Sequence, residues 1–376
     1  MDILIGGDLV PTQTNMDLFA NAEVNTLLGE ELLSIWNSAV FRIFNLEVPI
    51  TDTEDPIKKC GSNLIAPVRT FNGIKALNPS LVALANNHIL DQGSQGLKST
   101  EKLLYEHEIS YVGIGDNLSI ASKPFVFTKD GITIGVYACT EHEFSIATEN
   151  SPGANPFDPL QSLDHIALLK AECDYVIILY HGGKEHYRYP SPDLQKICRR
   201  MAQKGADLIV CQHSHCIGCH EIFEGSTIVY GQGNFIFDYS ESEFWKTSVL
   251  IRVNITDSIQ VEYIPFIKCE NNIRIAGEEQ KTEILKAFHE RSLQILQQAF
   301  VEKTYTDFAK DMLNGYLYGM LGNSFGIKVL RKIFGHRSLR FLYSAKALLR
   351  IQNYIECEAH RELLLEGMKV AVLKNG

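Results

Sequence analysis

The stretch from Asp207 to Phe237 constrains this chain more than any other. It opens Asp207-Leu-Ile-Val-Cys-Gln-His213-Ser-His215, four apolar residues (208–211) followed by two histidines. A short run that is apolar throughout reads as a buried parallel strand, and open α/β sheets gather their ligands at the carboxyl ends of such strands. His213 and His215 are two residues apart, so on an extended backbone their imidazoles aim at one point. The stretch then closes on Tyr230-Gly-Gln-Gly-Asn234-Phe-Ile-Phe237. A pair of surface histidines in a loop is the competing reading, since imidazole serves many structural roles. The rest of the chain decides between them.

Four other strand ends carry residues of the same ligand class. Residues 3–5 form a first strand running into Gly6-Gly7-Asp8, where the glycine pair is expected to turn the backbone and project the carboxylate. Residues 40–46 form a second, with Asn45 and Glu47 on one face of the extended chain. Residues 81–85 lead into Asn86-Asn87-His88 and Asp91, where an amide oxygen and an imidazole adjoin a sharp turn. Residues 175–180, strongly apolar, lead into His181-Gly-Gly-Lys-Glu185. Carboxylate, imidazole and amide donors at five strand tips point to a dinuclear metal centre that activates water. The loop Thr140-Glu141-His142-Glu143 reads either as lining the same cleft or, more commonly for such a stretch, as a solvated acidic loop.

Strands alternate with helical patterns at residues 21–37, 97–107, 158–173 and 192–205, which predicts a layered α/β domain. A hairpin is expected about Asp130-Gly131, and residues 227–230, 249–255 and 260–267 are expected to close a second sheet. From Gly277 the pattern becomes helical, over residues 278–304 and 339–368. The predicted division is a domain over 1–270 and a helical extension over 271–376.

Charge narrows the partners. The net charge of -10 disfavours nucleic acid, whose phosphates need a basic surface. Yet no acidic residue stands between Asp311 and Glu356, where seven Lys or Arg occur, Arg331, Lys332, Arg337, Arg340 and Arg350 among them. The basic segment 328–350 therefore reads either as a solvated helix face or as a docking surface for a membrane or a synthase partner. The N-terminus enters a strand directly, with no signal-like segment, and the nine cysteines lack framework spacing. A cytoplasmic protein, peripheral to the membrane if the basic segment docks, is expected.

Taken together, Gly7-Asp8, Asn45-Leu-Glu47, Asn86-Asn87-His88 with Asp91-x-Gly93, His181-Gly-Gly-x-Glu185, Gly205-Ala-Asp207, His213-Ser-His215 and Gly233-Asn-Phe-Ile-Phe-Asp238 resemble the calcineurin-like metallophosphoesterases. Within them they resemble the CapA family associated with poly-γ-glutamate capsule synthesis. The resemblance covers residues 1–270 and implies a four-layer αββα metallophosphoesterase-like sandwich with the C-terminal helical extension outside it. By the family pattern Asp8 and His215 are ligands of a first metal, Glu47 bridges, and Asn87, His181 and His213 are ligands of a second. His88 stands beside the scissile bond, with Glu185 as a further catalytic candidate. Divalent Mn, Fe, Zn or Ni, one or two per chain, is the implied cofactor. Val10 replaces the histidine usual two residues after the aspartate, and the bridging acid is Glu47 rather than an aspartate after glycine, so the first metal has a thinner protein shell.

The implied function is a hydrolase that uses metal-activated water on a phosphoester or an amide bond of an anionic small-molecule, peptide or capsule-like polymer substrate. A metal-binding assembly factor for polymer synthesis and a metal-dependent epimerase are the alternatives. Separately, Cys216-Ile-Gly-Cys219-His220 matches the covalent haem motif and, with Cys211 and His213, supplies the residue types of a zinc site.

Overall fold

The computed structural model describes residues 1–237, 241–322, 329, 332 and 343–374. The chain divides into two compact units, Met1–Glu302 and Lys303–Gly376.

In chain order the strands are β1 (Asp2–Leu9), β2 (Phe41–Leu46), β3 (Leu81–Ala83), β4 (Ser110–Val112), β5 (Ile114–Gly115), β6 (Phe125–Lys129), β7 (Ile132–Thr140) and β8 (Gly153–Ala154). They continue as β9 (Tyr175–His181), β10 (Leu208–Gln212), β11 (His220–Phe223), β12 (Ser226–Tyr230), β13 (Thr247–Ile255), β14 (Ile259–Cys269) and β15 (Asn272–Ile275). The first sheet runs β15-β14-β13-β1-β2-β3-β4 and the second β11-β12-β10-β9-β7-β6. Strands β1 to β4 are mutually parallel, as are β7, β9, β10 and β12, so both sheets present a row of carboxyl ends.

Alternation along the strands builds the layers. Ile3 and Ile5 face the second sheet, where they join Val136, Leu179 and Val210 in one apolar cluster. Leu4 and Phe44 face outward onto Trp36 of α3 (Glu30–Ser38), Ile74 of α4 (Phe71–Ala76) and Leu97 of α5 (Gly93–Glu106). On the far side, Ile178 and Ile209 pack beneath Ile166 of α7 (Ser162–Glu172) and Met201 of α8 (Pro192–Gln203). The result is the helix–sheet–sheet–helix sandwich that the motifs imply. Helix α9 (Glu278–Gln294) adds Phe288 to the inter-sheet cluster, stacked on His220 with 5.0 Å between ring centroids.

Two expectations change. Residues 249–255 and 260–267 do not close the second sheet: β13 pairs antiparallel with β1, Ile5 opposite Ile251, and β14 pairs with β13. Strand β13 is apolar on both faces, Val249 and Ile251 to the inter-sheet core and Leu250 to the helices, which suits it to a central place beside β1. The helix expected over 21–37 is two, α2 (Val24–Leu28) and α3, broken where Gly29 takes φ +75°. The Asp130-Gly131 hairpin forms as expected, with both residues at positive φ.

The second unit contains most of α10 (Phe300–Met320), with α11 (Ala345–Glu356) and α12 (Glu358–Lys374). The helix expected over 339–368 is interrupted at Cys357, which is extended. Arg331, Arg337 and Arg340 lie outside the described residues. No helix among the described residues is long and apolar enough to cross a membrane.

Candidate metal centre

The carboxyl ends of β1, β2, β9 and β10 bring the candidate ligands together. Asp8 lies near the end of β1, Glu47 just past β2, His181 is the last residue of β9, and His213 and His215 follow β10. None of Asp8, Glu47, Asn87, His181, His213 and His215 is more than 8% exposed. The glycine pair before Asp8 does not turn the chain, because β1 continues through it. A Cβ at Gly7 would stand 2.0 Å from the Gly233 carbonyl oxygen, so its bareness admits the segment that crosses from β12 to the first sheet. That segment is held where Phe235 N donates to the Asp8 carbonyl at 2.8 Å, which sets Asn234 beside the site.

The polar atoms then form two linked groups. Asp8 Oδ1 accepts from Asn45 Nδ2 at 2.8 Å and Oδ2 from the His213 backbone N–H at 3.1 Å, while His215 Nδ1 stands 3.6 Å from Oδ2. In the second group His181 Nε2 faces Asn87 Oδ1 at 3.0 Å, His213 Nδ1 at 3.1 Å and Glu47 Oε1 at 3.2 Å. One ring nitrogen carries at most one proton and serves one of those three acceptors. Glu47 adjoins both groups: one of its carboxylate oxygens and one ring nitrogen each of His213 and His215 lie within 4.8 Å of one another. Both Glu47 oxygens are buried without a hydrogen bond, the His181 nitrogen being near enough to pair but not aligned to donate.

The electrostatics reflect this crowding. Burial, reinforced by Asp8, pushes the Glu47 carboxyl up to about 8. Burial likewise lowers His181 to about 4 and holds His213 well below the ordinary imidazole range. For His215 burial also disfavours charge, but the carboxylates of Glu47 and Asp8 outweigh it and raise its pKa. A buried carboxyl with no donor, set among imidazoles that burial keeps from charging, lacks a compensating positive charge. The residues therefore fit a divalent cation, and the mixed nitrogen and oxygen set suits Mn, Fe, Zn or Ni.

Residues 2–239 match the family model described as bacterial capsule synthesis protein PGA_cap. The chain belongs to this family. It is 34% identical to the PGA biosynthesis protein CapA of Bacillus subtilis (strain 168) over 44% of each chain. It is 29% identical to the capsule biosynthesis protein CapA of Bacillus anthracis, over 57% of this chain and 54% of that one. The chain thus spans about half the length of these two relatives. Among solved structures it is similar to a putative 5'-nucleotidase from Staphylococcus aureus, with TM-score 0.43 and 15% identity over 77% of this chain and 58% of that one. The PGA_cap match spans every candidate ligand together with His88, Glu185 and Asn234.

In this PGA_cap protein His213 and His215 do not converge by strand alternation as the sequence suggests. Both take left-handed backbone angles, φ +80° and +53°, so a tight turn beyond β10 aims the rings. The strain sits at the proposed ligands themselves. His88 Nδ1 pairs with Asp91 Oδ2 at 2.5 Å, and Asp91 in turn binds Lys59. Glu185 is half-buried on the loop after β9, and its charge raises both Glu47 and His215.

Of the two readings of the loop 140–143, the cleft-lining one holds: Glu143 accepts from Asn87 Nδ2 at 2.7 Å and so turns the Asn87 carbonyl oxygen toward His181. Lys59 comes from an irregular segment with no periodic pattern, yet its side chain is 2% exposed. His220 stands apart from the site, bonded to Ser292 and stacked on Phe288. Cys216 and Cys219 are fully buried, and the turn between them offers its carbonyls to Arg188 and Arg291. Among the described residues the one three-residue group able to hold a metal is Glu47, His213 and His215, without a cysteine. The haem-like motif is thus a packed structural turn.

Proposed function

We propose that this PGA_cap protein is a metal-dependent hydrolase acting on a phosphoester or an amide bond of an anionic, peptide or capsule-like substrate. The observation that carries the reading is the Glu47 carboxyl, fully buried, without a hydrogen bond, and surrounded by three imidazoles. Asp8 and His215 would hold one cation, Asn87, His181 and His213 a second, and Glu47 would adjoin both. When bound, such cations supply positive charge and acidify water at neutral pH. The chain's own residues do the rest. Asn45 and the His213 backbone N–H hold Asp8 in place, and Asn234 orients His215 through a 2.7 Å contact at Nδ1. His88, its Nδ1 held by Asp91, keeps Nε2 available to move a proton to or from the leaving group.

The test couples metal content to turnover on phosphomonoesters, phosphodiesters and γ-glutamyl or peptide amides. Glu47→Gln and His213→Ala are expected to lose bound metal, whereas His220→Ala retains it. The parent is expected to turn over at least one substrate, and His88→Ala to lose that turnover with its metal retained. Metal bound by the parent with no turnover anywhere on the panel would replace this reading with that of a metal-binding assembly factor for polymer synthesis.

A further inference from the structure

We infer that a cavity on the helix-covered face of the second sheet binds a short linear peptide by its two charged ends. The site is separate from the metal centre, and the inference is independent of the hydrolase reading.

The separation follows from strand alternation. Tyr180 and His181 are successive residues of β9, so their side chains leave opposite faces of the sheet. His181 joins the metal centre, while Tyr180 turns toward α7 and α8, where its ring meets Phe157 edge-on with centroids 5.7 Å apart. Those two rings, with Leu163 of α7 and Ile197 of α8, give a cavity of about 500 Å³ its apolar lining. Sites for small ligands are of this size.

Four charged side chains also line the cavity, and they are sorted by position. Glu141 stands where α8 begins: its Oε1 accepts from the Gly183 N–H at 2.9 Å, and a Cβ at Gly183 would lie 3.1 Å from Leu194 in the first turn of that helix. Asp193, on the same first turn, is the second acid. Lys196 and Arg200 follow on the same face of α8, so the basic end lies up to about 10 Å along the axis from the acidic one.

These charges lack protein partners. Arg199 and Lys204, whose side chains do not line the cavity, reach Glu221 and Asp164 at 2.7 and 3.6 Å. Among the described residues Lys196 and Arg200 reach no carboxylate, Arg200 donating only to Gln203 at 3.1 Å. Asp193 pairs with neither of them, and Glu141 uses Oε1 alone, which leaves Oε2 open.

The opposed charges identify the occupant. An ammonium group suits the Glu141 and Asp193 end, a carboxylate suits Lys196 and Arg200, and an apolar side chain between them suits Phe157, Leu163 and Ile197. The two charges of a free α-amino acid are carried on one carbon and do not span such a cavity, whereas two or three residues extend about 7–10 Å. The ligand class is therefore a di- or tripeptide with free termini and an apolar side chain.

The experiment is isothermal titration calorimetry of the full chain with alanyl-phenylalanine, with its N-acetyl derivative and with its C-terminal amide. Saturable binding of one free dipeptide is expected, equal to within about twofold with divalent metal present or stripped, and weaker by about tenfold or more for each blocked form. In the pair Lys196→Ala and Arg200→Ala, the amide and the free peptide are expected to bind alike. In the pair Glu141→Gln and Asp193→Asn, the acetylated and free peptides are expected to do so. Ile197→Trp, which fills the cavity from α8, is expected to abolish binding, and circular dichroism checks that each variant is folded. No binding by the parent up to about 10 mM, indifference to both blocked ends, or binding retained by Ile197→Trp would overturn the inference. So would binding that requires the metal, because the peptide would then sit at the metal centre.

Discussion

His213 Nδ1 lies 3.1 Å from His181 Nε2, and the two rings meet at 60° with centroids 4.7 Å apart. They come from the ends of adjacent parallel strands, β9 and β10, and both are held neutral by burial. Two imidazole nitrogens facing each other at this distance either share one proton in a hydrogen bond or, with the amide oxygen beside them, offer their lone pairs to one cation.

The amide of Asn87 completes that group because Glu143 holds it by the NH2 end. Glu143→Ala is expected to free the amide to rotate and to weaken metal binding by about 10- to 100-fold, the usual cost of losing a residue that orients a ligand. Glu143→Gln, which keeps an acceptor oxygen, is expected to restore most of it. Metal titration of the stripped protein followed by calorimetry reads both.

The metal-free protein is expected to lose stability as pH rises from 6.5 to 8. The Glu47 carboxyl ordinarily titrates near 4.5 and here near 8, so in between the folded chain keeps a proton that the unfolded chain has released. His181 acts oppositely, but only between about 4 and 6.5, where the unfolded chain binds the proton. The raised His215 adds to the loss above 6.5. Over that interval the Glu47 contribution is about 2 kcal/mol, read as a falling Tm that Glu47→Gln flattens. Saturating divalent metal is expected to reverse the slope, since protons compete with it for the same atoms.

Asp8, Glu47, His181 and His213 were legible because a polar residue at the tip of an apolar strand has few structural uses, and five such tips shared one chemistry. Glu143 was legible only as one of two readings of its loop, and Lys59 not at all: each acts through a long-range contact from an irregular segment, and neither periodicity nor spacing records that contact. The left-handed turn at His213 and His215 was hidden for a related reason, since strand alternation gives the same convergence on paper by a different backbone path. The sandwich was legible as a class, but not the partner of β13, because a strand apolar on both faces fits the middle of either sheet.

Backbone approach gives a further test. Gly7 lies under the crossing segment, and a methyl there would meet the Gly233 carbonyl at 2.0 Å. Gly7→Ala is expected to cost about 3 kcal/mol through displaced backbone and to lower metal content, because Asn234 moves with Gly233. Gly315, exposed within α10 with nothing near its Cβ position, supplies the contrast. There Gly→Ala is expected to stabilise by about 0.5–1 kcal/mol. Urea titrations monitored by circular dichroism give both values.

Lys59 and Asp91 form a pair whose side chains are 2% and 0% exposed, with His88 on the other carboxylate oxygen and the Leu64 N–H donating to that same oxygen at 2.6 Å. Removing one partner of a buried pair strands the other charge, so Lys59→Met alone is expected to destabilise by about 3–5 kcal/mol. Adding Asp91→Asn removes the stranded charge and is expected to recover a large part of that loss, giving a coupling that a double-mutant cycle reads directly. Turnover separates the two roles of Asp91. If Asp91 only holds the fold, the double variant regains activity with stability; if it also fixes the His88 ring, activity stays low while stability returns. The second outcome is expected, because an amide at position 91 keeps its oxygen on the Leu64 N–H and hence on His88 Nδ1, but without the negative charge that favours the protonated ring on which the proposed proton transfer depends. A His88→Ala protein should then set the lower limit for the double variant, about 10²- to 10⁴-fold below the parent in turnover, with its metal content unchanged.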